Sequence, residues 1–469
     1  MTVSLRALHA SMFTQASNRG RDRIRRAGLS GVTSMVSQGL IIGTGMISVP
    51  LTVHYLGTER YGIWLTLNSF WNWLAISNLG FGGNALINKL SEAHGKDDRE
   101  AARELVATAF WSLMGIAAVL GLLFALAFKC VPWAAVFNVG GAVDPSELQR
   151  AVILSMICFL FMFPISLVDA IYQGHQQGYI GNIWGMGANL ASLVALVWVT
   201  RARGGLPMLV LALSGARITV TVANLCYLFG RQYPWLVPWP RAVSQRSMRD
   251  LLSLGVKYFT AQMAGIGMFQ SQPIIIAQVL GPAQVVLFNI AQRLLTLPML
   301  VVQMFTFPLM PAYGEAQARR DWHWIRHTLW RTLAMSAGST TIMVGCLAFL
   351  AKPLVRIWVG PQAVPGNGLI MGLSLYVFVA AVVTPASVML YGVQRVGGQA
   401  IIAGVNAVVT VAGGIMLTRP LGTAGMAFAM AFALFAVNLS GQAIQTRQVF
   451  NSIGSESPES GEAAVYGQA

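Results

Sequence analysis

The sequence predicts an all-α polytopic membrane protein, with about twelve transmembrane helices in two pseudo-symmetric six-helix halves around a central cavity. Three observations lead to that class. Charged residues make up only 10% of the chain, against roughly 25% in an ordinary soluble domain. Apolar runs near the ~20 residues needed to cross a bilayer core recur from residue 31 to about residue 446. Features of the first half then return in the second at a near-constant spacing.

The apolar share is 55% over 469 residues, and the mean hydropathy is +0.61. A soluble fold of this length could not hide that much apolar surface behind so few charges. Residues 1–30 form a basic segment containing "NRGRDRIRRAG". The apolar stretch after it is long and runs into further spans, unlike that of a cleaved signal peptide. Residues 31–230 hold six expected spans, at 32–54, 61–87, 105–128, 151–173, 180–199 and 206–229. A linker is expected at 231–250. The second half, 251–446, holds spans at 252–279, 283–310, 329–350, 368–391, 400–418 and 422–444. The stretch 447–469, ending "SESPESGEAAVYGQA", is polar and expected to be a disordered tail.

The net charge of +15 sits mainly in short connections between these runs. There it reports orientation, not affinity for nucleic acid. With the N-terminus inside, 20 Lys and Arg fall on the inner side and 8 on the outer. That asymmetry places both termini in the cytoplasm.

The repeat is read most directly from two polar turns. "SEAHGKDD" at 91–98 matches "GEAQARRD" at 314–321, with Asp98 on Asp321 at an offset of 223. Upstream, Gly31–Val32, Gln38, Gly43 and Leu56–Gly57 fall on Gly255–Val256, Gln262, Gly267 and Leu280–Gly281 at an offset of 224. Gly174 falls on Gly392 at 218. An even number of spans per half makes the repeat parallel and puts a cavity between the halves, an arrangement suited to alternating access.

Several chemistries are excluded. The four cysteines show no CxxC pairing and no zinc spacing. There is no P-loop, no HExxH helix and no GxSxG elbow, so neither nucleotide hydrolysis nor an enzymatic site is expected. His323 and His327 stand four apart but lack a third ligand, so no metal or cofactor is expected.

Polar residues inside the spans are the candidate binding groups. Arg217 lies about eleven residues from either end of span 6, a depth of ~16 Å that snorkelling does not easily bridge. It is expected to face a watery cavity or a carboxylate, with Asp169 the available partner. Arg293 shares a helical face with Asn289, Thr296 and Gln303, either a lumen-facing stripe or a seam between helices. Lys257, near the end of span 7, could snorkel or bind a ligand. Gln38 and Gln262, repeat partners, suit substrate contact or interhelical hydrogen bonding equally. Three buried cations against one buried carboxylate suit an anionic headgroup such as a phosphate or diphosphate.

"VPLTVHYLGTERYGIWLTLNSF" (49–70) and "LGFGGNALINKLSEAHGKDD" (79–98) resemble the opening of the Wzx-type polysaccharide flippases. These belong to the multidrug/oligosaccharidyl-lipid/polysaccharide exporter superfamily. The resemblance is carried by Pro50, Leu56–Gly57, Tyr61–Gly62 and Leu79–Gly80 and covers spans 1–3 best. Beyond them it rests on span number, the repeat and the turns at Gly174 and Gly392. It implies translocation of an undecaprenyl-diphosphate-linked oligosaccharide across the bacterial inner membrane for surface polysaccharide or lipopolysaccharide synthesis. Membrane lipids, a polysaccharide polymerase and glycosyltransferases are the partners it implies. The family's cationic cavity fits Arg217, Lys257 and Arg293 by chemistry, without residue-by-residue correspondence. The related lipid II flippases typically have fourteen spans, against twelve expected here. Two other readings stand beside it: a cation-coupled multidrug exporter, for which Asp169 is the one buried carboxylate on offer, and a scaffold of a polysaccharide-assembly complex.

Overall fold

The structure is a computed structural model. It describes the backbone over residues 2–79, 81–139, 143–202, 204–393 and 395–454. Side chains are described over 29–451 within those stretches, except at 76, 257–258, 260–262, 264–266, 311, 318 and 396.

Every regular element among the described residues is helical. In chain order these are α1 (Thr2–Leu74), α2 (Asn84–Gly95), α3 (Arg99–Ala127), α4 (Trp133–Val136), α5 (Pro145–Ile165), α6 (Leu167–Gly174), α7 (Gly178–Ala202), α8 (Leu206–Tyr227) and α9 (Gln245–Leu280). The second series is α10 (Pro282–Leu295), α11 (Leu297–Thr306), α12 (Leu309–Ala318), α13 (Trp322–Trp358), α14 (Asn367–Gly392), α15 (Val396–Leu421), α16 (Thr423–Ala433) and α17 (Ser440–Gly454). Among the described residues, nine helices are long and apolar enough to cross a membrane, or ten if the bent pair α10–α11 counts as one span. The 46-residue stretch Leu29–Leu74 is a single candidate among them, but Gly57 breaks it with φ 77° and ψ 169°. It therefore holds the first two expected spans, and α9 holds the expected seventh.

The duplication is visible in backbone chemistry. Gly281 adopts φ 93° and ψ 161°, the same region as Gly57, which is essentially closed to residues bearing a Cβ. At the polar turns, Asp97 and Arg320 both take positive φ, 55° and 58°. The next residue then caps a helix. The Asp98 carboxylate accepts from the Ala101 amide at 3.0 Å, and Asp321 accepts from the Trp324 amide at 3.1 Å, each satisfying an otherwise orphan donor. Gly174 and Gly392 are both packing glycines. A Cβ on Gly174 would stand 2.6 Å from Leu90 Cβ, and one on Gly392 2.7 Å from Tyr313 Cβ. Leu90 and Tyr313 are themselves repeat partners.

The chain separates into two compact units, Met1–Thr260 and Ala261–Ala469. In the first, one core cluster joins Leu86, Leu90, Val106, Leu167, Ile171 and Tyr172 with Leu228, Leu236 and Leu251. A second joins Ile63 and Leu67 with Leu148, Val152, Leu196, Leu206 and Leu209. In the second unit Tyr313, Ile325, Leu329, Met389 and Leu390 form a comparable cluster. Large apolar side chains remain bare on both, such as Leu126 at 68% and Phe349 at 84%, as lipid-facing surface requires.

Three expectations are corrected. Residues 231–250 are not a free linker, because Leu236 is fully buried and the Trp111 indole donates to the Pro238 carbonyl at 3.0 Å. The chain there belongs to the first unit, and the division falls later, inside α9. Residues 447–454 continue helix α17 rather than beginning a disordered tail, and 455–469 lie outside the described residues. The second span does not run unbroken to 87, since a 3-10 turn at Ala75–Asn78 and Leu79 at φ 47° separate α1 from α2. Trp133 is buried against Phe124, Phe128 and Phe137.

Candidate functional site

In the first unit the expected pair does not join. Asp169 lies in the first turn of α6 and Arg217 in the middle of α8. No salt bridge joins them among the described residues. Both side chains are exposed on the surface of their unit, as is Gln38 on α1. Arg217 lies mid-helix as expected, and its side chain is open rather than packed into the core of its unit. A guanidinium outside any salt bridge keeps its donors free for another acceptor.

In the second unit Arg293 is likewise exposed. The expected straight stripe through Asn289, Arg293, Thr296 and Gln303 is broken. The helix bends by 40° between α10 and α11, where Pro298 sits in the first turn of α11 and supplies no amide to the preceding turn. Asn289 and Arg293 remain together on α10, while Gln303 is carried away on α11. The Asn289 amide donates to the Val285 carbonyl at 3.0 Å, and the Thr296 hydroxyl to the Gln292 carbonyl at 2.7 Å. Both are turned back onto their own helix. The side chains of Lys257 and Gln262 lie outside the described residues.

Polar groups without a local sequence signal form the ties that hold each half together. Glu147, in the first turn of α5, accepts from Arg60 Nε at 3.2 Å and Nη2 at 3.1 Å. It also accepts from the Leu206 amide at 2.9 Å, at the start of α8. One carboxylate thus ties the ends of three helices. Gln272, 1% exposed, accepts from Gln292 at 3.1 Å, a tie between α9 and α10. At the other end of the first unit, the Tyr172 hydroxyl donates to Asn224 at 2.8 Å. Beside it lies buried His175. Its ring stands 5.2 Å from His94 and 4.7 Å from Tyr233, and its Nδ1 donates to the Ile171 carbonyl at 2.8 Å. Burial holds the His175 pKa below the usual imidazole range. In the nearby turn, the Lys96 and Lys89 ammonium groups hold the Glu92 carboxyl below its ordinary range. No group of three or more metal-ligating side chains occurs among the described residues.

These features define a helical multi-pass membrane protein whose backbone plan is repeated in its two halves. Residues 29–317 match the family described as polysaccharide biosynthesis protein, more than half of the chain, and the protein belongs to that family. It is 21% identical over 286 residues to a putative O-antigen export protein of Yersinia pseudotuberculosis, covering 58% of this chain and 61% of that relative's length. Solved structures share the fold. An inward-facing multidrug resistance transporter of the MATE family, in the MOP superfamily, matches with TM-score 0.73 at 13% identity, over 88% of this chain and 95% of its own. The lipid II flippase MurJ in an inward closed conformation matches with TM-score 0.68 at 12% identity, over 89% and 87%. The resemblance to Wzx-type flippases seen in residues 49–98 is thereby borne out.

Proposed function

We propose that the protein is a flippase that carries a polyprenyl-diphosphate-linked oligosaccharide across the bacterial inner membrane by alternating access, with both termini cytoplasmic. The family match over residues 29–317 is the observation that carries this reading, and the O-antigen export relative supports it. The exposed guanidiniums of Arg217 and Arg293 supply the chemistry. Each presents a fork of donors suited to phosphate oxygens, and neither is in a salt bridge among the described residues. Asn289, Gln38, Gln262, Lys257 and Asp169 complete the proposed polar lining. With no nucleotide-binding motif in the chain, an ion gradient or removal of the product would drive the cycle.

Replacing Arg217 and Arg293 together by Gln tests this. Surface-polysaccharide output should fall by about 100-fold while the protein remains in the membrane, two lost charge-assisted contacts at ~1.5 kcal/mol each. Output at the wild-type level would sink the reading. The fold is shared with MATE transporters, so drug resistance conferred on a susceptible host would instead favour a multidrug exporter.

A further inference from the structure

The second unit carries a polar corner that none of the proposed transport residues lines. It is a cavity of about 300 Å³ bounded by Arg395, Gly397, Gly398, Gln445 and Gln448, where α15 begins beside α17. Three candidate membrane spans share a boundary there. Asn367–Gly392 has just ended, Gly397–Leu421 begins, and Thr423–Asn451 is close to its end. That is the depth at which lipid headgroups lie. The first unit shows this corner filled by the protein itself. Gln177 stands at the Arg395 position, 218 residues earlier, the offset that relates Gly174 to Gly392. The backbone agrees, since the Gln177 amide donates to the Tyr172 carbonyl at 2.8 Å and the Arg395 amide to the Leu390 carbonyl at 2.9 Å. Gln177 Oε1 accepts from Gln232 Nε2 at 2.6 Å and from the Tyr233 hydroxyl at 3.0 Å. There, protein donors meet a protein acceptor.

In the second unit a guanidinium replaces that acceptor. Arg395 is exposed, it is in no salt bridge among the described residues, and no Asp or Glu lines the cavity. The other side chains can donate as well. Gln399, 5% exposed, donates its Nε2 to Gln445 Oε1 at 3.0 Å. That bond holds the Gln445 amide with its Nε2 free of any partner among the described residues. A Cβ on Gly398 would collide with this nitrogen, so the glycine is what lets the amide stand there. Gln448 is exposed and lines the same cavity. A cavity that offers a cation and amide N–H groups but no anion fits phosphate oxygens. Beyond Gly397, the exposed side chains of Ile401, Val405 and Val408 follow at i+4, i+8 and i+11. They form one apolar helical face along which an acyl chain can lie.

We infer that this corner is a binding site for an anionic phospholipid, its phosphodiester on Arg395, Gln445 and Gln448 and its acyl chain along Ile401, Val405 and Val408. A zwitterionic headgroup suits the site less, because its ammonium would stand beside the Arg395 charge with no carboxylate to meet it. The inference does not depend on the transport reading and concerns no residue assigned to transport. Native mass spectrometry of the full chain tests it, with dioleoyl phosphatidylglycerol or dioleoyl phosphatidylethanolamine added to the detergent in a concentration series. The wild type should bind phosphatidylglycerol in preference. Arg395→Gln should weaken that binding about tenfold and leave phosphatidylethanolamine unchanged. Gln448→Leu, which removes an exposed side chain, should weaken it about threefold. Arg419→Gln, at an exposed arginine in the last turn of α15, should leave both affinities as they were. Equal binding of the two lipids, full phosphatidylglycerol affinity in Arg395→Gln, or an equal loss in Arg419→Gln would overturn the proposal. Displacement of bound phosphatidylglycerol by inorganic phosphate alone would also overturn it, since the site would then take a free anion.

Discussion

The two halves share a backbone plan and differ at the ends of their helices. Where Arg60, Glu147 and Leu206 tie three helix ends in the first half, the repeat places Gln284, Leu369 and Ala424 in the second. Those three do not close the space; they line a pocket of about 390 Å³. The pattern recurs at the opposite end of the fold, where residues 233–244 cover α3 but the matching face of α13 is an open groove. Duplication preserved what the backbone demands, namely Gly57 and Gly281, Asp98 and Asp321, Gly174 and Gly392. Side chains that close one half were free to change in the other. The first half is therefore the better-tied unit, and the second presents the open surfaces.

Leu236→Ala attacks that difference where it is largest. It empties a fully buried position under the covering segment and should cost about 2–5 kcal/mol. Leu333→Ala, on the wall of the open groove, should cost less than half as much because less contact is lost. Thermal unfolding of the two variants in detergent measures this, and equal losses would mean that the groove is as well packed as its covered counterpart.

Glu147→Ala comes next. It leaves the Leu206 amide without its acceptor and Arg60 without its anion, at a cost of about 1–3 kcal/mol. Replacing Arg60 and Glu147 together by Gln should cost less than Glu147→Ala, since no unpaired charge remains. Grafting the pair into the second half, Gln284→Arg with Leu369→Glu, should raise the thermal midpoint if the pocket there is the open form of the same tie. A lowered midpoint would show that the pocket serves another purpose.

How far this was legible in the sequence depends on the range of each interaction. Glycines in forbidden regions and aspartate caps act within a few residues, so "LGTER", "LGPAQ" and the two polar turns stood out as repeats, although their backbone and capping roles came only with the structure. Spans came from composition alone. Arg217's distance from the span ends was also readable, but which way its side chain faces depends on neighbours the sequence does not name. Glu147 meets an arginine 87 residues away, and no local pattern announces that. The Pro- and Trp-rich stretch after α8 reads as a linker because its burial partner, Trp111, lies 127 residues upstream. Pro298 lies in plain view, yet a stripe through Arg293 presumes a straight helix. Pocket and groove were out of reach, since an unfilled space has no residue of its own.

The smallest expected effect is a titration confined to one half. His94 and His175 have Gln317 and Val393 as repeat partners, so the second half lacks imidazoles at these two positions. His175 is buried against Tyr233, Trp235 and His94, with Arg99 stacked on Trp235. Protonating it there would place a cation beside other donors and cations. Its folded-state pKa is held below the unfolded value by burial, so the unfolded chain takes up the proton first as pH falls. The stability this neutral ring contributes is complete above the unfolded pKa of about 6.5 and is lost as pH drops below it. Unfolding of wild type should therefore become easier as pH falls below about 6.5, whereas His175→Val, which installs the second half's residue, should flatten that slope. A slope unchanged in His175→Val would assign the acid sensitivity to other groups. The flattened slope would show that the first half's tighter closure at this turn carries a pH dependence that the second half, with Val393, escapes.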